Sequence, residues 1–77
     1  MIFLIEYDRN SGRLITLKRF DDANREAAES ERLEMELELN RQGVEREVVL
    51  MVAETEEGLR RTHRRYFESL SELVALP

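Results

Sequence analysis

The segment Leu33-Glu34-Met35-Glu36-Leu37-Glu38-Leu39 decides how this 77-residue chain folds. Its apolar and acidic residues alternate with the period of two that marks a half-buried strand, and Asn40-Arg41-Gln42-Gly43 would then turn it into a hairpin with Val44 to Val52. Leucine, glutamate and methionine are nonetheless strong helix formers, none of the seven residues is β-branched, and Ala23, Ala27 and Ala28 precede them. The composition therefore predicts a helix that opens at Asp21 or Asp22 and runs to about Arg41, with Gly43 as a left-handed stop. In a helix, residues two apart in sequence point about 160° apart, so Leu33 and Leu37 lie across the wheel from Met35 and Leu39. One flat surface cannot cover both pairs, and a second contact surface is expected.

Upstream, Ile2 to Tyr7 is a nearly unbroken run of β-branched, aromatic and aliphatic residues, as in a central strand buried on both faces. Asp8-Arg9-Asn10-Ser11-Gly12 reads as a loop, and Arg13 to Phe20 as a returning strand whose Arg13, Lys18 and Arg19 suit a sheet edge. Downstream, Arg46 to Glu54 is a third strand. Thr55 to Val74 is the cleanest helical pattern: Leu59, Thr62, His63, Tyr66, Phe67, Leu70, Leu73 and Val74 share one arc, and charged residues fill the other. Thr55 is positioned to cap that helix, and Glu56 and Glu57 suit the positive end of its dipole.

The element order is strand, strand, helix, strand, helix. A crossover after the second strand sets the third beside the first, giving sheet order 2-1-3. The expected architecture is an α+β two-layer sandwich over residues 1–77, with a three-stranded antiparallel sheet and both helices on one face. The other sheet face would then show Phe3, Ile5 and Tyr7, or Ile2 and Leu4, to solvent or to a partner.

Seventy-seven residues lie near the lower limit for a single self-sufficient core, and there are no cysteines to add disulfides. Oligomerisation is the remaining supplement. The N-terminus lacks the basic start and the length of a signal peptide, no run approaches a membrane span, and the cysteine-free composition fits a reducing compartment. A cytoplasmic protein without membrane association is expected. The net charge of −5 argues against general affinity for nucleic-acid phosphates. Charge is unevenly placed: residues 1–20 carry four basic and two acidic groups, whereas residues 21–40 carry two basic and eight acidic.

No motif names a reaction. His63 is the one histidine, with no serine or carboxylate fixed beside it by sequence, so no catalytic residue is assigned. The loop at Asp8 begins like a calcium-binding loop but has Gly12 where an oxygen ligand belongs and Arg19 where the bidentate glutamate should stand. Glu31, Glu34 and Glu38 form one acidic stripe, best read as a solvated face, and neither a metal site nor a cofactor is expected. Phe3, Tyr7 and Tyr66 are more economically core than a base-stacking platform, since no cations interleave with them in the first strand.

Three readings of function remain. The first is a non-enzymatic homodimeric interaction module, contacting its mate through Phe3, Ile5 and Tyr7 on the sheet or through Leu33 and Leu37, or Met35 and Leu39, on the first helix. The second is a nucleic-acid or anion-binding module using Arg60, Arg61, Arg64 and Arg65, with Glu57–Arg61 and Arg64–Glu68 as well-oriented i,i+4 pairs that would neutralise half the cluster. The third is a small-ligand site between subunits with His63 and Tyr66 at its polar end.

Overall fold

The apolar run near the N-terminus forms strand β1, Ile2–Asp8, and β2 follows as Arg13–Phe20. The loop between them is closed by Asp8, whose carboxylate accepts the Asn10 N–H at 3.0 Å and whose carbonyl accepts the Gly12 N–H at 2.8 Å. Gly12 has φ 69°, a conformation that a side chain would strain. The computed structural model of the chain describes residues 1–67. A short 3-10 turn, Asp22–Asn24, leads into helix α1, Arg25–Gln42, so Leu33 to Leu39 is helical and its alternation is not that of a strand. Gly43 ends α1 at φ 69° with its N–H on the carbonyls of Asn40 and Leu39, as its sequence position predicts. Strand β3 is Glu47–Val52 and helix α2 is Glu56–Thr62.

The sheet is antiparallel throughout, in the order β2-β1-β3. The β1–β3 register is regular, from Ile2 opposite Val52 to Tyr7 opposite Glu47. The β1–β2 register slips between Glu6 and Tyr7, which face Thr16 and Leu14 and leave Ile15 as the extra residue of a bulge.

Side chains on β1 alternate between two faces, and both are buried. Phe3, Ile5 and Tyr7 join Leu59 and Tyr66 in one core cluster, bordered by Leu14, Leu17, Val49 and Met51. Ile2, Leu4 and Glu6 point the other way, toward α1. Lys18, opposite Leu4 on β2, reaches Glu31 of α1 at 2.5 Å, and Ala28 of α1 is buried outside the Phe3 cluster. The two helices therefore lie on opposite faces of the sheet. The expectation of both helices on one face, with an open apolar sheet face, is corrected here. The reason is in β1 itself: an apolar run on both faces needs a cover on each, and α2 with the turn after it supplies the second.

The arc expected to run as a helix to Val74 breaks early. After Thr62, His63 takes φ −126° and ψ 53°, and Arg64–Tyr66 forms a separate 3-10 turn. The Thr62 hydroxyl donates to the carbonyls of Gly58 and Leu59 at 3.0 and 3.3 Å, a local bond that weakens helix continuation. The break swings Tyr66 onto Tyr7, ring centroids 5.2 Å apart and edge to face. The N-terminal end behaves as expected, with the Thr55 hydroxyl accepting the Gly58 N–H at 3.0 Å. Leu70, Leu73 and Val74 lie outside the described residues.

Candidate interaction surface

Of the residues expected at an interface, Phe3, Ile5 and Tyr7 are core residues of their own chain and present no surface. Met35 and Leu39 are half-buried, on the same side of α1 as Ala28 and Arg32, the side turned to the sheet. Leu33 and Leu37 stand on the opposite crest, 51% and 56% exposed. The structure thus separates the two pairs as the wheel requires.

The arginine cluster is largely engaged within the chain. Arg60 pairs with Glu56 at 3.3 Å and lies over the Phe67 ring, 4.5 Å from its centroid, and Arg61 pairs with Glu57 at 3.2 Å. Arg65 pairs with Glu47 at 2.8 Å, donates to the Tyr66 hydroxyl at 2.5 Å and stacks 4.2 Å from the centroid of that ring. Arg64 has a partner as well. His63 is half-buried with Nδ1 2.9 Å from the Thr62 hydroxyl, and its ring lies 6.5 Å from that of Tyr66, which is buried against Tyr7.

Sequence reasoning did not single out two carboxylates that organise the polar interior. Glu47, its side chain 11% exposed, holds Arg9 at 2.6 Å and Arg65 at 2.8 Å. Burial alone would raise its pKa, but the hydrogen bonds from Tyr66 and Arg9 and the charge of Arg65 hold it below the usual range. Tyr66 shifts the other way, pushed up to about 12 by burial and by the adjacent Glu47. Glu6, mid-strand and 8% exposed, accepts from Arg46 at 2.6 Å and from the Thr16 hydroxyl at 2.7 Å. The available signal was its type: a lone carboxylate inside an apolar run demands a partner. Between these groups lies a cleft of about 500 Å³ bordered by Asn10, Leu39, Asn40 and Val44, with Arg9, Arg46, Glu36 and Glu47 on its walls. Each of those four is already ion-paired, and the remaining charged group on the cleft is the exposed carboxylate of Glu45.

The two edges of the sheet differ sharply. Edge strand β2 carries Arg13, Lys18 and Arg19 and the bulge at Ile15, all of which discourage a further strand. Edge strand β3 reads Glu-Val-Val-Leu-Met-Val, with a regular register and no charge after Glu47. The Ala53 N–H donates to the Met1 carbonyl at 3.0 Å, so Met1–Ala53 is a hydrogen-bonded pair. By antiparallel alternation Met51, Val49 and Glu47 also bond to β1, and Val48, Leu50 and Val52 turn their N–H and C=O groups outward. Among the described residues no strand other than β1 pairs with β3, and Val52 is 62% exposed. Among the described residues, too, no helix is long and apolar enough to cross a membrane, and no group of three potential metal ligands converges. No family model, curated protein or solved structure matches the chain.

Proposed function

We propose that this chain is a small interaction module without catalytic activity that works as a homodimer. The observation that carries the reading is the exposure of Leu33, Leu37 and Val52, three large apolar side chains each more than half open to solvent. Burying such a side chain is worth about 1.5–3 kcal/mol, a large fraction of what a domain of this size has in hand. A second copy is a source of cover that is always present at matching concentration.

The arginine surface supports a nucleic-acid reading less well. Arg60, Arg61 and Arg65 face carboxylates of their own chain, and a phosphate would have to displace those carboxylates to use the guanidinium forks. Sedimentation velocity from low to high micromolar concentration tests the homodimer. The expected result is a single reversible transition to twice the 9.1 kDa chain mass. A mass that stays at one chain throughout overturns the reading.

A further inference from the structure

We infer that the homodimer is joined strand to strand: β3 of one copy pairs antiparallel with β3 of the second, about a two-fold axis at Leu50. The inference rests on the homodimer reading and specifies a contact that covers Val52, leaving Leu33 and Leu37 on the far crest of α1 outside it. Three features of the chain converge on it.

The first is hydrogen-bond phase. An antiparallel self-pairing centred on Leu50 matches Val48 with Val52 of the second copy, Leu50 with Leu50 and Val52 with Val48. These are the residues whose backbone groups face outward, so every outward N–H and C=O of the strand acquires a partner in one register. A one-residue slip would oppose outward groups with inward ones. The pairing also sets the exposed Val52 beside a valine, a favourable β-branched cross-strand pair. The result is a six-stranded sheet in the order β2-β1-β3-β3-β1-β2. Its two new edges are the charged, bulged β2 strands, so assembly stops at two copies.

The second is the seat of α1, which packs on β1 and β3. Strands lie about 4.8 Å apart, so a dyad beside β3 places a helix riding between β1 and β3 about 5 Å from the axis. Its symmetry mate is then about 10 Å away, at the outer end of normal helix–helix spacing. This second contact matters because specific dimers bury about 800 Å² per partner, more than a six-residue edge supplies alone.

The third is charge. Glu31 leans toward β2 through Lys18, whereas Glu36 borders the cleft beside Val48 of β3, so the Arg25-Glu29-Arg32-Glu36 stripe runs along the β3 side of α1. Leu50, Leu4 and Lys18 share one rung of the sheet, and Lys18 meets α1 at Glu31. The dyad therefore passes α1 near residue 31, the middle of that stripe. Antiparallel mates about that level oppose Arg25 to Glu36 and Glu29 to Arg32, attractive pairs formed by partner exchange from the intrachain Arg32–Glu36 pair at 2.8 Å, so they fix register more than they add affinity.

The test uses the full chain, with sedimentation for association and amide hydrogen exchange by NMR for the edge. In the wild-type dimer the amides of Val48, Leu50 and Val52 are expected to be protected, and their exchange to quicken on dilution. Val52→Pro removes an outward donor without touching a bond to β1, and Val52→Lys adds a charge at an exposed position. Each is expected to keep the circular dichroism spectrum and to weaken association about tenfold or more, the proline by the loss of roughly one hydrogen bond on each side of the dyad and the lysine by setting a charge beside Val48 of the mate. Glu29→Arg is expected to weaken association and Glu29→Arg with Arg32→Glu to restore it. A dimer that tolerates both Val52 variants while its three outward amides exchange as freely exposed ones overturns the strand pairing and leaves the homodimer standing. A wild-type chain that is monomeric at every concentration overturns both.

Discussion

The two faces of the sheet are closed by opposite means. On one, the seven-residue helix α2 and the turn after it cover Phe3, Ile5 and Tyr7 with two anchors, Leu59 and Tyr66. On the other, the eighteen-residue helix α1 packs on β1 and β3 and fully buries only Ala28, while the strand beneath it carries the ion-paired Glu6. A short helix holds its place by depth of insertion and a long one by extent of contact. Substitutions should therefore be concentrated in effect on the α2 face and diffuse on the α1 face.

The largest difference is expected between Leu59→Ala and Met35→Ala. Leu59 is the one buried residue of α2, so its truncation opens a cavity and frees the helix, at about 2–5 kcal/mol. Met35 is half-buried among other sheet-facing residues of α1, and its truncation should cost roughly half of that or less. Urea unfolding of the two variants side by side measures the gap. Equal losses would mean that α1, too, hangs on single anchors.

A middle-sized effect separates the faces by chemistry. Arg46→Met leaves the buried Glu6 carboxylate with Thr16 as its remaining partner and should cost about 1–3 kcal/mol. Adding Glu6→Leu should recover most of that loss, because an apolar pair under α1 needs no counter-charge. Chemical denaturation of the single and double variants gives the cycle. A double variant weaker than the single one would assign Glu6 a role beyond satisfying Arg46.

Much of this architecture was legible in the sequence, and the illegible parts have physical causes. Strand order, the helical state of Leu33 to Leu39, the Gly43 stop and the Thr55 cap all followed from local chemistry. The side of the sheet taken by α2 did not, because neither the turn Ala53 to Thr55 nor the stripe on α2 encodes a direction. The unbroken apolar run of β1 held the clue, since a strand covered on one face only would alternate. The end of α2 was hidden because Tyr66 and Phe67 fit the helical wheel and only a hydroxyl bonded back to the preceding turn reveals the break. For the candidate surface, period alone set Leu33 and Leu37 across α1 from Met35 and Leu39, and only the packing of α1 on the sheet decides that Leu33 and Leu37 face out. The edge position of β3 followed from the expected order 2-1-3, but which of its backbone groups turn outward did not, because that phase is set by its pairing with β1.

The smallest effect is the most diagnostic of the α2 face, and it depends on pH. Tyr66 donates its hydroxyl proton toward Glu47 while accepting from Arg65, and its folded pKa is raised from 10.0 to about 12. A raised pKa means that folding favours the protonated phenol, so the contribution is complete below pH 10 and fades as pH rises toward 12. Glu47 behaves inversely: its folded pKa is lowered, so its contribution holds above the ordinary carboxylate value of 4.5 and is lost as pH falls below it. Tyr66→Phe keeps the ring that packs on Tyr7 and removes the hydroxyl, which should cost about 1 kcal/mol near neutrality. Thermal unfolding of both proteins across pH should show a gap widest between the two limits, narrowing in acid as Glu47 protonates and in alkali as the wild-type phenol ionises. A gap that stays constant into strong alkali would place the value of Tyr66 in its ring alone, and the anchor of α2 would then be purely apolar.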